Sequence, residues 1–246
     1  MKILLAPSET KTIYNDSKFD IEKLLFASDL PIRSECLDKY NEIISSNNAD
    51  NINEIFGLKK QSDIEFYKQV IDENSPACKA IKLYTGVAFD YLNYSSLDFK
   101  AQKHIDDSVI IFSNLFGAVR ASDSLTLYRL QQGKSLGELK TEALYKKSSS
   151  LLLDKLLIDE DILDIRAGYY DKFYTPNKSY TTLKFLKDGK VVSHYAKAYR
   201  GKVLREIALK GIQTLEEFMA MNIEGLKINE IQTRKNRTEI IFNIEV

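Results

Sequence analysis

The chain has 246 residues, of which 44% are hydrophobic and 28% are charged, as in ordinary soluble globular proteins. Lys plus Arg and Asp plus Glu balance at 35 each, which excludes a generally basic coat protein for nucleic acid and confines any anion site to a local patch. The apolar runs are too short for a signal peptide or a membrane span, so we expect a cytoplasmic protein with no membrane partner.

Residue types that form disulfides or bind metals are few. Cys36 and Cys78 lie far apart and are interpreted as buried thiols, which fits a reducing compartment. His104 and His194 are also far apart, and no Cys/His cluster occurs. We therefore predict neither a metal site nor a cofactor.

The first strand is predicted at residues 3–6, a short apolar run that ends at Pro7. A polar loop, residues 7–12, follows it directly, and loops at strand ends are common sites of function. Glu9 and Lys11 in this loop fit a catalytic pair, a salt bridge that lines a cleft, or surface charges, and the sequence does not choose among them. Residues 16–33 are polar and irregular, which predicts a surface excursion.

A helix is predicted at residues 35–47, and two short helices are predicted within residues 51–73, with Ser62 as N-cap of the second. The turn between these short helices contains Gly57, Lys59 and Lys60. In a helix-hairpin-helix element, the backbone N–H groups and lysines of such a turn grip a DNA phosphate. The alternative is an ordinary helical hairpin with a glycine C-cap, which is very common.

Alternation at residues 80–84 predicts a strand, and residues 88–94 and 97–106 are predicted to be helical. The unbroken apolar run at residues 109–112 predicts a central strand that is covered on both faces. It leads into Asn114 and then Arg120, and Arg129 follows beside Tyr128. A buried strand that opens onto such residues is typical of the ligand-facing edge of an α/β sheet.

The C-terminal part begins with a helix within residues 136–158 and a strand at residues 162–166. A hairpin around residues 188–189 then leads into a helix over residues 193–207. This helix carries Lys197, Arg200 and Arg205, and its Gly201 implies a close approach to the backbone, for which an anion is one candidate. The alternative is a solvated helix face with a packing glycine. A capping box at residues 214–217 and a closing hairpin over residues 226–246, with a basic tip at 234–237, complete the chain.

These elements predict a mixed α/β (α+β) fold in one compact domain over residues 1–246, with a central mixed sheet and surrounding helices. Neither repeats nor linkers divide the chain. We also expect a monomer.

Four stretches together resemble the YaaA family of peroxide stress resistance proteins: residues 5–11, residues 84–86, residues 113–129 and residues 195–201. The resemblance implies an α/β fold with a positively charged cleft, DNA binding with a helix-hairpin-helix element, and survival of hydrogen peroxide by limiting free iron and oxidative DNA damage. The positions that match the family's motifs are Ser8, Glu9, Lys11, Tyr84, Thr85, Gly86, Gly117, Arg120, Asp123, Tyr128, Arg129, Lys197, Arg200 and Gly201. The chain departs from many members at Asn114, where they have glycine.

Two hypotheses of function follow. In the first, a DNA-binding stress protein contacts phosphates through its basic residues and stacks bases on its tyrosines. In the second, an enzyme acts on a nucleotide, a flipped base or another small anion, with Glu9 or Lys11 in proton transfer. The candidate binding residues are Ser8, Lys11, Lys59, Lys60, Tyr84, Thr85, Gly86, Asn114, Arg120, Tyr128, Arg129, Lys197, Arg200, Gly201 and Arg205. Direct chelation of iron by scattered acidic residues has little support, because the sequence has no cluster of His or Cys.

Overall fold

A computed structural model describes residues 1–245, apart from the side chains of Ser193 and His194. The strands in chain order are β1 (Lys2–Leu5), β2 (Ser17–Lys18), β3 (Pro76–Lys79), β4 (Val109–Ser113), β5 (Gly117–Arg120), β6 (Ser124–Thr126), β7 (Ile162–Asp164), β8 (Tyr180–Lys187), β9 (Lys190–Val191), β10 (Leu226–Arg234) and β11 (Arg237–Ile244). The helices are α1 (Ile32–Ser45), α2 (Ala49–Phe56), α3 (Gln61–Tyr67), α4 (Ala80–Leu83), α5 (Val87–Leu92), α6 (Phe99–Ser108), α7 (Thr141–Leu156), α8 (Ser193–Lys210) and α9 (Leu215–Ala220).

The main sheet has the strand order β10-β11-β8-β7-β1-β4-β5, and β9 pairs with β8. Its central strands β11, β8, β7, β1 and β4 run parallel, while β10 and β5 pair antiparallel at its two ends. Residues 3–5 and all of β4 are buried, as the unbroken apolar runs predict. The mixed α/β fold in a single compact domain is confirmed. A smaller sheet joins β2, β3 and β6.

The parallel strands bring three chain segments to one edge of the sheet. The loops after β1, β4 and β7 all leave from the carboxyl ends of neighbouring strands, because β1 lies between β4 and β7. In open α/β sheets this edge, outside the strand ends, is where ligands bind. Arg120, in contrast, ends the antiparallel strand β5 and pairs with Ile110 near the start of β4. It therefore lies at the opposite edge.

Helix α8 packs closely against α5, and Gly201 makes this contact feasible. A Cβ atom at Gly201 would lie 2.0 Å from the backbone oxygen of Ala88 and 3.0 Å from the Cβ of Tyr91. The prediction that something approaches this backbone is confirmed, but the neighbour is the backbone of α5. The expectation that Gly201 faces an anion is therefore wrong, and the packing glycine is the correct alternative.

Several local predictions are confirmed. Asp188 and Gly189, with φ of 51° and 73°, form the turn between β8 and β9, and the capping box of Thr214 with Glu217 begins α9. The terminal hairpin is also present, although the last predicted strand residue, Val246, lies outside the described part.

Three local predictions are wrong. Residues 80–83 form α4 instead of a strand. Ala80, Ile81 and Leu83 are buried from a single helical turn, and their spacing in the sequence resembles the alternation of apolar residues in a strand. The N-cap of α3 is Lys60 and not Ser62, which lies within the helix. The segment over residues 16–33 is irregular but anchored, since it buries residues such as Phe19. Within residues 1–245, no helix combines the length and the apolar character that crossing a membrane requires.

Candidate functional site

A cavity of about 410 Å³ lies at the carboxyl edge of β1 and β7. Its walls are residues 5–10 at the end of β1 and the loop after it, residues 85–89 at the start of α5, Gln132, three residues of the segment after β7, and two residues of α8. The volume falls within the range of small-molecule sites in proteins. The charged side chains of this wall are Glu9, Lys197 and Arg200.

The Glu9 side chain is fixed in the wall by two partners. Its Oε2 accepts a hydrogen bond of 2.9 Å from Nη2 of Arg129, and its Oε1 accepts one of 3.1 Å from the backbone N–H of Gln132. Arg129 also donates to the backbone oxygen of Glu9 and, at 2.8 Å, to that of Phe56 at the end of α2. Arg129 is thus buried, each of its three guanidinium nitrogens donates a hydrogen bond within the protein, and it does not line the cavity.

Lys11 lies beneath the cavity and does not line it. Its Nζ donates to the backbone oxygens of Ser8 and Glu9, at 3.1 and 3.2 Å, and lies 4.1 Å from the centre of the Tyr128 ring. Burial, with a smaller effect from the Arg129 charge, lowers the pKa of Lys11 to about 7, against an opposing effect of Glu9. Lys11 therefore fixes the shape of the loop, and its protons point to groups within the protein.

The two tyrosines predicted to stack on bases are buried. The hydroxyls of Tyr84 and Tyr128 are hydrogen-bonded to each other at 2.8 Å, and Ser113 contacts Tyr128 at 2.7 Å. Desolvation raises the pKa of both phenols, so they remain neutral donors and acceptors. This network supports the floor of the site, and neither ring offers a free face to a base.

Arg200 is the unusual cation of the site. It lines the cavity, its Nε is buried, and this atom has no hydrogen-bond partner among the described residues. Burial lowers the pKa of Arg200, and only Asp164 acts in the opposite direction. Asp164, however, is bound through both oxygens by Arg166, at 2.9 and 2.6 Å, so its charge is already compensated. Lys197, one turn before Arg200, is exposed and also lines the cavity.

Other predicted residues shape the wall through local contacts. Gly86 adopts φ of 100°, and a Cβ there would lie 3.3 Å from the hydroxyls of both Ser8 and Thr10. The Thr10 hydroxyl donates to the backbone oxygen of Thr85 at 3.1 Å. Asn114 lies behind the wall, where it donates to Leu130 and accepts from the Tyr170 hydroxyl.

Two predicted basic residues do not reach the cavity. Arg120, at the opposite edge of the sheet, pairs with Asp123 at 3.2 Å. Arg205 donates to the backbone oxygens of Leu92 and Asn93 and to Ser96, and so caps the end of α5. Both were candidate binding residues, and in the structure each has a partner outside the cavity.

The turn between α2 and α3 lies beside the site. Lys59 and Lys60 are exposed, and Lys60 approaches Asp63 at 3.8 Å. Gly57, at φ of 61°, packs against the side chain of Gln131, next to the cavity residue Gln132. The two helices and the glycine-containing turn are present as predicted, with Gly57 as the left-handed C-cap of α2 and both lysines exposed. A grip on DNA by this turn, as in a helix-hairpin-helix element, stays a prediction.

Sequence reasoning missed Asp164, Arg166, Tyr170 and Gln132. Asp164 is the last residue of β7 and Arg166 and Tyr170 follow it. A signal for these three existed, because the end of a parallel strand beside β1 must lie at the same edge as the first loop. Gln132 had no such signal, since it contributes a backbone N–H. Among the described residues, no group of three or more His, Cys, Asp and Glu forms a metal cluster. Burial raises the pKa of both Cys36 and Cys78 to about 11, which disfavours the reactive thiolate.

Comparison of the sequence with known proteins shows the family of the chain. The family described as peroxide stress protein YaaA matches residues 1–232. A protein of Campylobacter jejuni, named only as uncharacterized, is 44% identical over 246 residues and 99% of both chains. A UPF0246 protein of Corynebacterium glutamicum is 31% identical over 98% of this chain and 100% of the relative, and one of Fusobacterium nucleatum is 29% identical over 96% and 100%. The chain therefore belongs to the peroxide stress protein family YaaA.

Proposed function

We propose that this protein contributes to the defence against hydrogen peroxide by binding a phosphate-bearing anion in the cavity between the loop after β1, α5 and α8. The observation that supports this most is Arg200. The guanidinium is partly buried and its Nε has no hydrogen-bond partner among the described residues, so it carries a desolvation cost that a hydrogen-bonded anion would offset. Lys197 on the same helix adds a second positive charge at the same wall.

The size of the cavity favours a ligand such as a mononucleotide over a segment of duplex. A volume of about 410 Å³ accommodates a small molecule, whereas a DNA duplex requires an open groove. Two sources of a nucleotide fit this chemistry, namely the free metabolite pool and a nucleotide extruded from a DNA strand. If the site catalyses a reaction, Glu9 is the candidate for proton transfer, because the amine of Lys11 lies outside the cavity wall.

The second candidate function is DNA binding that limits iron-driven oxidative damage. It is favoured by the position of Lys59 and Lys60, whose turn packs against Gln131 beside the cavity. A strand held at this turn by its phosphates would have a nucleotide close to the cavity. In this version the protein acts as a DNA-binding stress protein with a helix-hairpin-helix element, and the cavity receives part of the strand.

The test of the principal proposal is calorimetric titration of the full chain with inorganic pyrophosphate. We expect saturable binding that Arg200→Gln weakens by at least about tenfold, since a charge-assisted hydrogen bond contributes about 1.5–3 kcal/mol. Lys202→Gln is the matched control, because Lys202 lies on the same helix outside the cavity and only approaches Glu224 at 4.0 Å. In cells that lack the gene, Arg200→Gln should fail to restore survival of peroxide, whereas Lys202→Gln should restore it. Equal binding by all three proteins would refute the proposal.

DNA binding is tested separately with a duplex and with a duplex that contains an unpaired bubble, at several salt concentrations. If both lysines contact phosphates, the variant Lys59→Gln/Lys60→Gln should reduce the slope of log affinity against log salt by about 1.8, since each contact with duplex contributes about 0.9. An unchanged slope removes the turn from the binding surface. Arg120→Gln, at the other edge of the sheet, is the control and should leave the slope unaltered.

A further inference from the structure

The acidic part of the cavity wall is a carboxylate that can accept further hydrogen bonds. Glu9 is the only acidic residue among the described residues that line the cavity. Each of its two oxygens accepts one hydrogen bond from the protein, Oε1 from Gln132 and Oε2 from Arg129. A carboxylate offers about four lone-pair positions, so one position on each oxygen stays free. The side chain is 35% exposed, which leaves these positions accessible.

Glu9 cannot turn away to avoid a ligand. Its backbone oxygen is held by Arg129 and by Lys11, and its carboxylate is held from two directions. No ion pair joins it to Lys197 or Arg200 among the described residues, so the negative and positive parts of the wall are separate. A ligand that fills the cavity must therefore present an anionic group to the positive residues and hydrogen-bond donors to the fixed carboxylate of Glu9.

The remaining wall is largely apolar. Val87, Ala88 and Phe89 contribute from the start of α5, and Ile165 and Tyr170 contribute from the segment after β7. The Tyr170 hydroxyl already donates to Asn114, so the ring offers its apolar body and not its polar end. Such a surface suits a planar ring, because aromatic and aliphatic side chains gain contact area on its faces.

Building on the proposed function, we propose that Glu9 is the specificity-determining residue of the cavity, and that it selects a phosphorylated ligand whose planar ring carries two adjacent N–H donors. The phosphate binds Arg200 and Lys197, the ring lies against the apolar wall, and the N–H donors bind the two carboxylate oxygens. A guanine mononucleotide is the simplest ligand of this class, because its ring N1–H and its exocyclic amino group lie side by side.

The test compares three purine nucleotides that lose the donors on this edge one at a time, the third of which also lacks the 6-oxo group. Guanosine 5′-monophosphate has both donors, inosine 5′-monophosphate lacks the amino group, and purine riboside 5′-monophosphate lacks both. Each is titrated calorimetrically into the wild-type protein. We expect affinity to fall by roughly tenfold for each donor removed, since each leaves a charged acceptor unpaired. Equal affinity for the three nucleotides overturns the proposal without the need for any variant.

The same series with Glu9→Gln assigns the selection to this side chain. The amide retains one acceptor oxygen, so the preference for the guanine nucleotide should collapse to within about threefold. Because the negative charge of the wall is lost, pyrophosphate should bind at least as tightly as it does to wild type. Lys202→Gln is again the control, with the wild-type order of affinities. If Glu9→Gln keeps the full preference, the donors are recognised elsewhere and the inference is wrong.

The outcomes also separate this inference from the function on which it depends. If pyrophosphate binds in an Arg200-dependent manner but the nucleotide series is flat, anion binding holds and the role of Glu9 fails. If ribose 5-phosphate binds as tightly as the guanine nucleotide, the donors that Glu9 recognises are sugar hydroxyls, and the assignment to a base is overturned. If neither pyrophosphate nor any nucleotide binds, both proposals fall together.

Discussion

At the carboxyl edge of the parallel strands, Arg200 lines a cavity, and its Nε has no hydrogen-bond partner in the described part of the chain. At the opposite edge, Arg120 and Arg237 are each paired with a carboxylate. All three residues are arginines in a protein with zero net charge. The difference shows that local basic character does not identify a binding site. A cation whose charge is already compensated supports the fold, and one that is buried without compensation is available to a ligand.

The same contrast occurs within α8. Arg205 satisfies three acceptors at the end of α5, while Arg200, five positions earlier, does not find such partners among the described residues. Between them, Gly201 brings the two helices together. One part of the surface of α8 thus packs against α5 and stabilises the fold, and another part lines the cavity. Variants of single residues should separate these two roles.

The largest effect is expected for Gly201→Ala. The added Cβ would lie 2.0 Å from the Ala88 oxygen, which forces α5 and α8 apart. We expect a loss of about 3 kcal/mol in the free energy of unfolding, measured by urea denaturation, because backbone cannot yield as a side chain does. Gly168→Ala is the control, since a Cβ there meets nothing within 4 Å. A stable Gly201→Ala protein would show that the helix contact is looser than described.

The next largest effect is the loss of stability when an arginine at either edge of the sheet is replaced by methionine. Arg129→Met deprives Glu9 and the end of α2 of a buried partner, and it should cost about 2–3 kcal/mol. Arg120→Met removes a half-exposed partner of Asp123, and it should cost less than about 1 kcal/mol. Urea denaturation of both variants checks this order. Equal losses would contradict the idea that burial of the pair determines its contribution.

A third effect concerns pH and Lys11. Its pKa of about 7 in the folded state lies below its ordinary value of 10.5, so between these values the unfolded chain holds a proton that the folded chain lacks. Stability should therefore rise with pH across this window. Measured by urea denaturation, the stability of wild type relative to Lys11→Met should increase by roughly 2 kcal/mol from pH 7 to pH 9. A constant difference would mean that Lys11 keeps its charge, held by the Tyr128 ring and two carbonyl groups.

The smallest effect compares Arg200 with Arg205. Without a ligand, Arg200→Met should leave stability unchanged or raise it by about 1 kcal/mol, because a partly buried charge without an ion-pair partner among the described residues is removed. Arg205→Met should lower it by about 1 kcal/mol, because carbonyls at the end of α5 lose their donor. Thermal unfolding with and without pyrophosphate measures both. A marked loss of stability in Arg200→Met would indicate that this residue has a structural role after all.

The sequence by itself determined the elements and much of the sheet. Apolar runs specified β1 and β4, and turn and capping residues specified the β8–β9 hairpin and the start of α9, because these signals act over a few residues. It also located the loop after β1 and the basic helix α8, which meet at the cavity. Burial of β1 and β4 could be anticipated because residues 3–5 and 109–112 are apolar.

Only the tertiary structure decided which charges are free. Arg129 and Glu9 are 120 positions apart, and Arg205 and Leu92 are 113 apart, so no local pattern reveals that these arginines are already occupied. The reason for Gly201 was equally hidden, since the backbone that requires it belongs to α5. Hydrogen-bond partners are fixed by packing between distant segments, and the function of each cation follows from the partner that packing supplies or withholds.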